Sequence, residues 1–82
     1  MRRPEPHAVT SELVAHVLSL AVAEGDLVEA GAEIALLESM KMEIPVLSDI
    51  AGRVVRVAVL PGDVVQEGDV LALVEPHASA AR

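Results

Sequence analysis

Apolar positions in this chain come in short runs broken by Gly, Pro and Asp. Val54-Val55-Arg56-Val57-Ala58-Val59 follows Gly52, ends at Pro61-Gly62 and is rich in β-branched residues, which reads as a strand between turn signals. The stretch Ser11 to Ala23 carries two periods at once. Leu13, Val17 and Leu20 have the i, i+4, i+7 spacing of a helix, while Leu18, Leu20 and Val22 alternate as a strand does, so periodicity alone leaves both open. Residues 1–9 and 77–82 have no period and read as flexible tails on a single domain at 10–76.

An internal repeat resolves the ambiguity. Ala23 to Glu38 aligns with Leu60 to Glu75 at an offset of 37, with Gly25, Asp26, Val28, Gly31, Ala35, Leu36 and Glu38 matched by Gly62, Asp63, Val65, Gly68, Ala72, Leu73 and Glu75. Carried backwards, the offset lays Val17 to Val22 on the valine-rich run Val54 to Val59, so Leu13 to Ala23 is expected to be mostly strand. Each half then reads as strand, Gly-Asp turn, short strand, Gly turn, strand. Glycine reaches positive φ without a Cβ penalty and Asp bonds nearby amides, which suits both to the reversals. A half cannot bury its own apolar face, so the expectation is all-β: two half-sheets facing one another in a sandwich or flattened barrel with pseudo-twofold symmetry. A duplication of this kind is also compatible with a symmetric core that has no chemistry in it.

Composition narrows the function classes. A chain of 82 residues makes one domain, burying roughly 60% of its unfolded surface. With 52% hydrophobic residues and no Phe, Tyr or Trp, the core must be Val, Leu, Ile and Ala, and base-stacking platforms are missing. The formal charge of −7 repels phosphate backbones and anionic headgroups, so nucleic acid and membrane are poor partners. No cysteine means no disulfide framework and no thiolate metal site, which is compatible with a cytoplasmic location. No apolar run approaches the ~20 residues of a membrane span.

The candidate chemistry is concentrated at Glu38-Ser39-Met40-Lys41-Met42-Glu43. Lys41 is the only lysine in the chain. Adding the repeat offset to it lands beyond the second copy, so the hexapeptide is the joint between the halves. Ile34 to Ser39 reads as a strand arriving and Met42 to Leu47 as one leaving, joined by a hairpin with Met40 and Lys41 at its tip. Ser39 would then face Met42, and Glu38 would face Glu43. Two-residue hairpin turns favour Asn-Gly, so a tip without glycine implies strain retained for function.

This hexapeptide, together with Ile44-Pro45-Val46, Gly52 and both Gly-Asp turns, strongly resembles the biotin-attachment motif of biotinyl domains, most of all small single-domain biotin/lipoyl carrier proteins of bacteria. The resemblance covers about Glu12 to Glu75. It implies a flattened barrel of two four-stranded antiparallel sheets, the biotinyl/lipoyl hammerhead, with biotin in amide linkage on Lys41. It further implies a carrier with no catalytic centre of its own, which moves carboxybiotin from a biotin carboxylase to a carboxyltransferase of an acyl-CoA or pyruvate-type carboxylase after loading by a biotin protein ligase. Tethering raises the effective concentration of the carried group at both sites. Lipoyl domains share the fold but usually have Asp before and Ala after the lysine, so the flanking Met40 and Met42 resemble the biotin pattern. Ala15 stands where the family often has the first-half equivalent of Gly52, and the protruding thumb of some enterobacterial carriers has no counterpart between Leu20 and Gly25.

Met40 and Met42 are expected as partly exposed, adaptable contact surface, with core filling as the alternative. Glu38 and Glu43 are solubilising charge or ligase-recognition residues. An amine is mostly ammonium at neutral pH and neighbouring carboxylates favour that form, so the ligase is expected to supply the base. His7, His16 and His77 have no metal-ligand spacing, Ser39 has no sequence-near His partner, Arg53 and Arg56 read as a solvated strand face, and the repeated glycines do not form a phosphate loop. The isolated domain is expected to be monomeric. Two rival functions are a lipoyl carrier using the same lysine and an unmodified β-sandwich interaction module.

Overall fold

The computed structural model describes residues 5–76. Eight strands and no helix make up the described chain: β1 (His7–Thr10), β2 (Ala15–Leu20), β3 (Leu27–Val28), β4 (Glu33–Ser39), β5 (Met42–Leu47), β6 (Gly52–Val57), β7 (Val64–Val65) and β8 (Val70–Pro76). They form two four-stranded sheets, ordered β1-β8-β6-β3 and β5-β4-β2-β7, with every pairing antiparallel. The sequence repeat is also a repeat of environment. β2 and β6 alternate identically between buried and exposed positions, and so do β4 and β8.

The two halves are interlocked, which differs from the expected face-to-face half-sheets. Each sheet takes its two central strands from one copy and its two edge strands from the other, since β3 pairs β6 and β7 pairs β2. The Gly-Asp turns make the crossing. Gly25 N–H donates to Val54 O at 2.7 Å and Val54 N–H donates to Asp26 O at 2.8 Å; Gly62 N–H to Val17 O and Val17 N–H to Asp63 O, both 2.8 Å, repeat the exchange in the other copy. Both turn aspartates cap their own loop, Asp26 Oδ2 accepting from Ala23 N–H and Asp63 Oδ2 from Leu60 N–H, each at 2.9 Å. A two-residue strand has too few ladder bonds to stand alone, so it is held by the sheet of the opposite copy.

The core lies between the sheets, where Val17, Ile34, Leu37, Val54, Val65, Leu71 and Val74 are fully buried. Burial of an aliphatic side chain of this size contributes about 1.5–3 kcal/mol, and no aromatic residue is needed to fill the space. The alternation of Leu18, Leu20 and Val22 does not survive intact. Leu18 is exposed next to the buried Val17, and Val55 next to the buried Val54; the bulges between Val17 and Ser19 and between Val54 and Arg56 then let Leu20 and Val57 turn toward the core. One extra residue in a strand reverses the face on which the later side chains fall. Leu20 and Val22 still pack against the core.

The amino-terminal boundary also differs from expectation. His7, Ala8 and Val9, read as tail, belong to β1, which pairs with β8 through His7–Val74, Ala8–Leu73 and Val9–Ala72. Four residues without a clear period are recognisable as a strand only through the partner that they meet. The remaining tail expectations at 1–4 and 77–82, His77 included, lie outside the described residues. Ala15, in place of the family's frequent glycine, is buried at the start of β2 and pairs with Val65. Its repeat mate Gly52 has no room for a side chain, because a Cβ there would overlap the Glu75 carbonyl and lie 2.9 Å from Val74 Cγ1.

Candidate functional site

The β4–β5 hairpin carries the hexapeptide. Its register pairs Leu36–Pro45, Leu37–Ile44, Glu38–Glu43 and Ser39–Met42, leaving Met40 and Lys41 as the two-residue tip, as the sequence implied. Met40 has φ 53° and Lys41 φ 67°, and among the described residues these are the non-glycine positions with positive φ. Positive φ at both central positions matches a type I′ turn, whose twist suits the flanking strands. For side chains with a Cβ it costs roughly 1–2 kcal/mol per residue. The conformation is enforced by the ladder below it, anchored on the buried Leu37.

Lys41 is exposed, with 92% of Met40 and 64% of Met42 also open to solvent, which removes the core-filling alternative for the methionines. Leu37 points into the core, so alternation puts Glu38 and Glu43 on the outer face of the sheet, in a row with His16 of β2, which pairs with Glu38. Among the described residues the basic–acidic side-chain contact within 4.0 Å is the His7 Nε2–Asp49 Oδ2 hydrogen bond at 3.3 Å; the carboxylates flanking the tip make none with Lys41. The amine is thus presented to solvent without a local base or a fixed counter-charge. Arg53 and Arg56 are exposed on β6, as read, and Arg53 Nη1 donates to Gly25 O at 3.2 Å.

Three serine contacts escaped the sequence reading. Ser39 Oγ donates to Val14 O at 3.0 Å, joining the lysine-bearing hairpin to the segment before β2. Ser11 and Ser48, both buried, each donate to the carbonyl two residues on, Leu13 O at 2.6 Å and Ile50 O at 2.7 Å, and accept from the same residue's N–H at 3.3 Å. The serine pair was available in the sequence, because 11 and 48 are one repeat offset apart. The Ser39 contact had no such signal.

A cleft of about 290 Å³ lies between the edge strands β1 and β5, lined by Val9, Leu13, Ile44 and Val46 among others, and it does not include the tip. No group of three or more His, Asp or Glu side chains among the described residues is placed to hold a metal ion. No described helix is long and apolar enough to cross a membrane. The site's capacity is therefore that of a presented primary amine.

Comparison with known proteins agrees with this geometry. Residues 2–74 match the Biotin_lipoyl family model, described as "Biotin-requiring enzyme". The biotinylated protein TB7.3 of Mycobacterium tuberculosis is 58% identical over 40 residues, covering 49% of this chain and 56% of that protein. The biotin/lipoyl attachment protein of Bacillus subtilis is 46% identical over 40 residues, covering 49% and 55%. The alignments thus span about half the length of these relatives. Among solved structures, a single-chain, multi-domain long-chain acyl-CoA carboxylase superposes with TM-score 0.84 at 35% identity, over 94% of this chain and 8% of that one. The urea carboxylase of Kluyveromyces lactis gives 0.82 at 30% identity, over 90% and 6%. The lipoyl domain of the 2-oxoglutarate dehydrogenase complex of Azotobacter vinelandii gives 0.68 at 22% identity, over 85% and 100%, a likeness of fold. With an interlocked two-sheet fold, one lysine at a strained hairpin tip and a family match across nearly the whole described chain, this protein belongs to the biotin/lipoyl attachment family.

Proposed function

We propose that Lys41 is the residue that carries biotin, and that the domain moves an activated carboxyl group from a biotin carboxylase to a carboxyltransferase acting on an acyl-CoA or keto acid. The observation that carries this reading is the position of the chain's only lysine at an exposed tip whose two central residues are held at φ 53° and 67°. The residues fit the group: a terminal amine is open for amide formation, and no described ion pair has to be broken to reach it. Bound there, biotin supplies a ureido ring that accepts and releases a carboxyl group.

The chain's own contribution is positional. The β4–β5 ladder holds the tip clear of the sandwich, the exposed methionines give partners an apolar surface beside the amine, and Glu38 and Glu43 offer charge for ligase recognition. With no neighbouring base, Lys41 relies on the biotin protein ligase to remove its proton. The likeness to carboxylase structures supports partners of that class, and the methionine flanks favour biotin over lipoate. Intact-mass measurement on protein from its native host tests the reading. A biotin adduct mapped to Lys41 is expected; a lipoyl adduct or the bare mass would refute it, in favour of the lipoyl carrier or the unmodified interaction module respectively.

A further inference from the structure

The tip has a second chemistry that carrying biotin leaves unused. Apart from Met1, the chain's methionines are Met40 and Met42, and it contains no Cys, Trp, Tyr or Phe. Its most readily oxidised internal side chains therefore flank its only lysine. Methionine commonly fills gaps in a core, yet here one thioether is 92% and the other 64% exposed. A core of 12 buried Val, Ile, Leu and Ala residues leaves peroxide nothing comparable to attack elsewhere in the fold.

We propose that Met40 and Met42 form a reversible oxidation site that governs the loading of Lys41. This rests on the reading of Lys41 as the attachment residue. In the forward step the O–O bond of a hydroperoxide breaks, the methionine sulfur gains one oxygen and is oxidised by two electrons, and the peroxide is reduced to its alcohol or to water. In the return step a dithiol-dependent methionine sulfoxide reductase supplies two electrons and two protons, and the oxygen leaves as water. The product is polar and chiral where the thioether was apolar, so a ligase surface that receives it must desolvate an S–O dipole beside the amine. The tip itself is held by the backbone ladder and by Ser39, so oxidation leaves the fold in place while altering what partners meet. Met40, the more exposed, reacts first.

The test uses the full unmodified chain, hydrogen peroxide, peptide mapping by mass spectrometry and a biotin protein ligase with biotin and ATP. Single-oxygen additions are expected at Met40 before Met42. Loading kcat/KM should fall about tenfold, the size expected when one buried methionine contact is replaced by a polar one, and return after treatment with sulfoxide reductases. Equal loading of reduced and oxidised protein would overturn the proposal alone. So would a fall that the reductases do not reverse, or one that accompanies loss of the β-sheet circular dichroism signal. Reduced protein that the ligase leaves unloaded would refute the Lys41 reading as well.

Discussion

The Ser39 hydroxyl donates to the Val14 carbonyl at 3.0 Å, and this bond has no mate in the other half of the molecule. The repeat offset carries Ser39 to Pro76 and Val14 to Ala51, so the second copy has no hydroxyl to offer. The backbone exchanges at the Gly-Asp crossings and the paired serines, by contrast, occur in both copies. This departure from symmetry lies at the base of the hairpin that presents Lys41. Ser39→Ala is expected to cost about 0.5–1 kcal/mol and to speed amide hydrogen exchange at Met40 to Met42, with Ser39→Thr retaining protection. Exchange at the tip unchanged in Ser39→Ala would show that the backbone ladder alone holds the hairpin.

Lys41→Arg removes the acylable amine and keeps the charge. The side chain is exposed, so stability should stay within about 0.5 kcal/mol of wild type while ligase-dependent loading disappears. Intact mass after incubation with ligase, biotin and ATP, alongside a urea titration, reads both effects. A mass increase of one biotin in the variant would move the attachment site elsewhere.

Met40→Asn tests the strain at the tip. Asn tolerates the left-handed region far better than methionine, so with φ at 53° this change should stabilise the fold by about 0.5–1 kcal/mol, seen as a raised thermal midpoint. The same change removes the exposed thioether and should raise the KM of loading. A lowered midpoint would mean that the methionine side chain contributes packing which its exposure does not indicate.

Gly52 and Ala15 occupy equivalent places in the repeat but should differ in how much a substitution costs. Gly52→Ala drives a methyl group into the Glu75 carbonyl, inside a paired strand, and is expected to destabilise by about 2–4 kcal/mol. Ala15→Gly only loosens the backbone and leaves a small void, at roughly 1 kcal/mol. Denaturant midpoints of the two variants compare them directly.

Ser11→Ala and Ser48→Ala should each cost about 1–2 kcal/mol, because each strips a buried two-way bond from the turn after an edge strand. Their near-identical geometry predicts near-equal losses by urea denaturation. Widely unequal losses would show that the two copies of the turn differ in energy despite their matching bonds.

The lysine, its place at the joint, the hairpin pairing of Ser39 with Met42, and the succession of strands and Gly turns could all be read from residue order. Each depends on neighbours close in sequence or on the offset of 37, and local backbone preference and a repeat are both written along the chain. What only the tertiary structure decided depends on partners far apart in sequence. β1 is a strand because β8 is there to pair with it. The exchange of β3 and β7 between the sheets comes from two-residue strands taking their ladder from the opposite copy. The bulge after Val17 lets Val17 and Leu20 both face the core while Leu18 stays exposed, and the Ser39–Val14 bond joins positions 25 residues apart. Residue types restrict what each position can do; which groups meet is settled when the two copies close on one core.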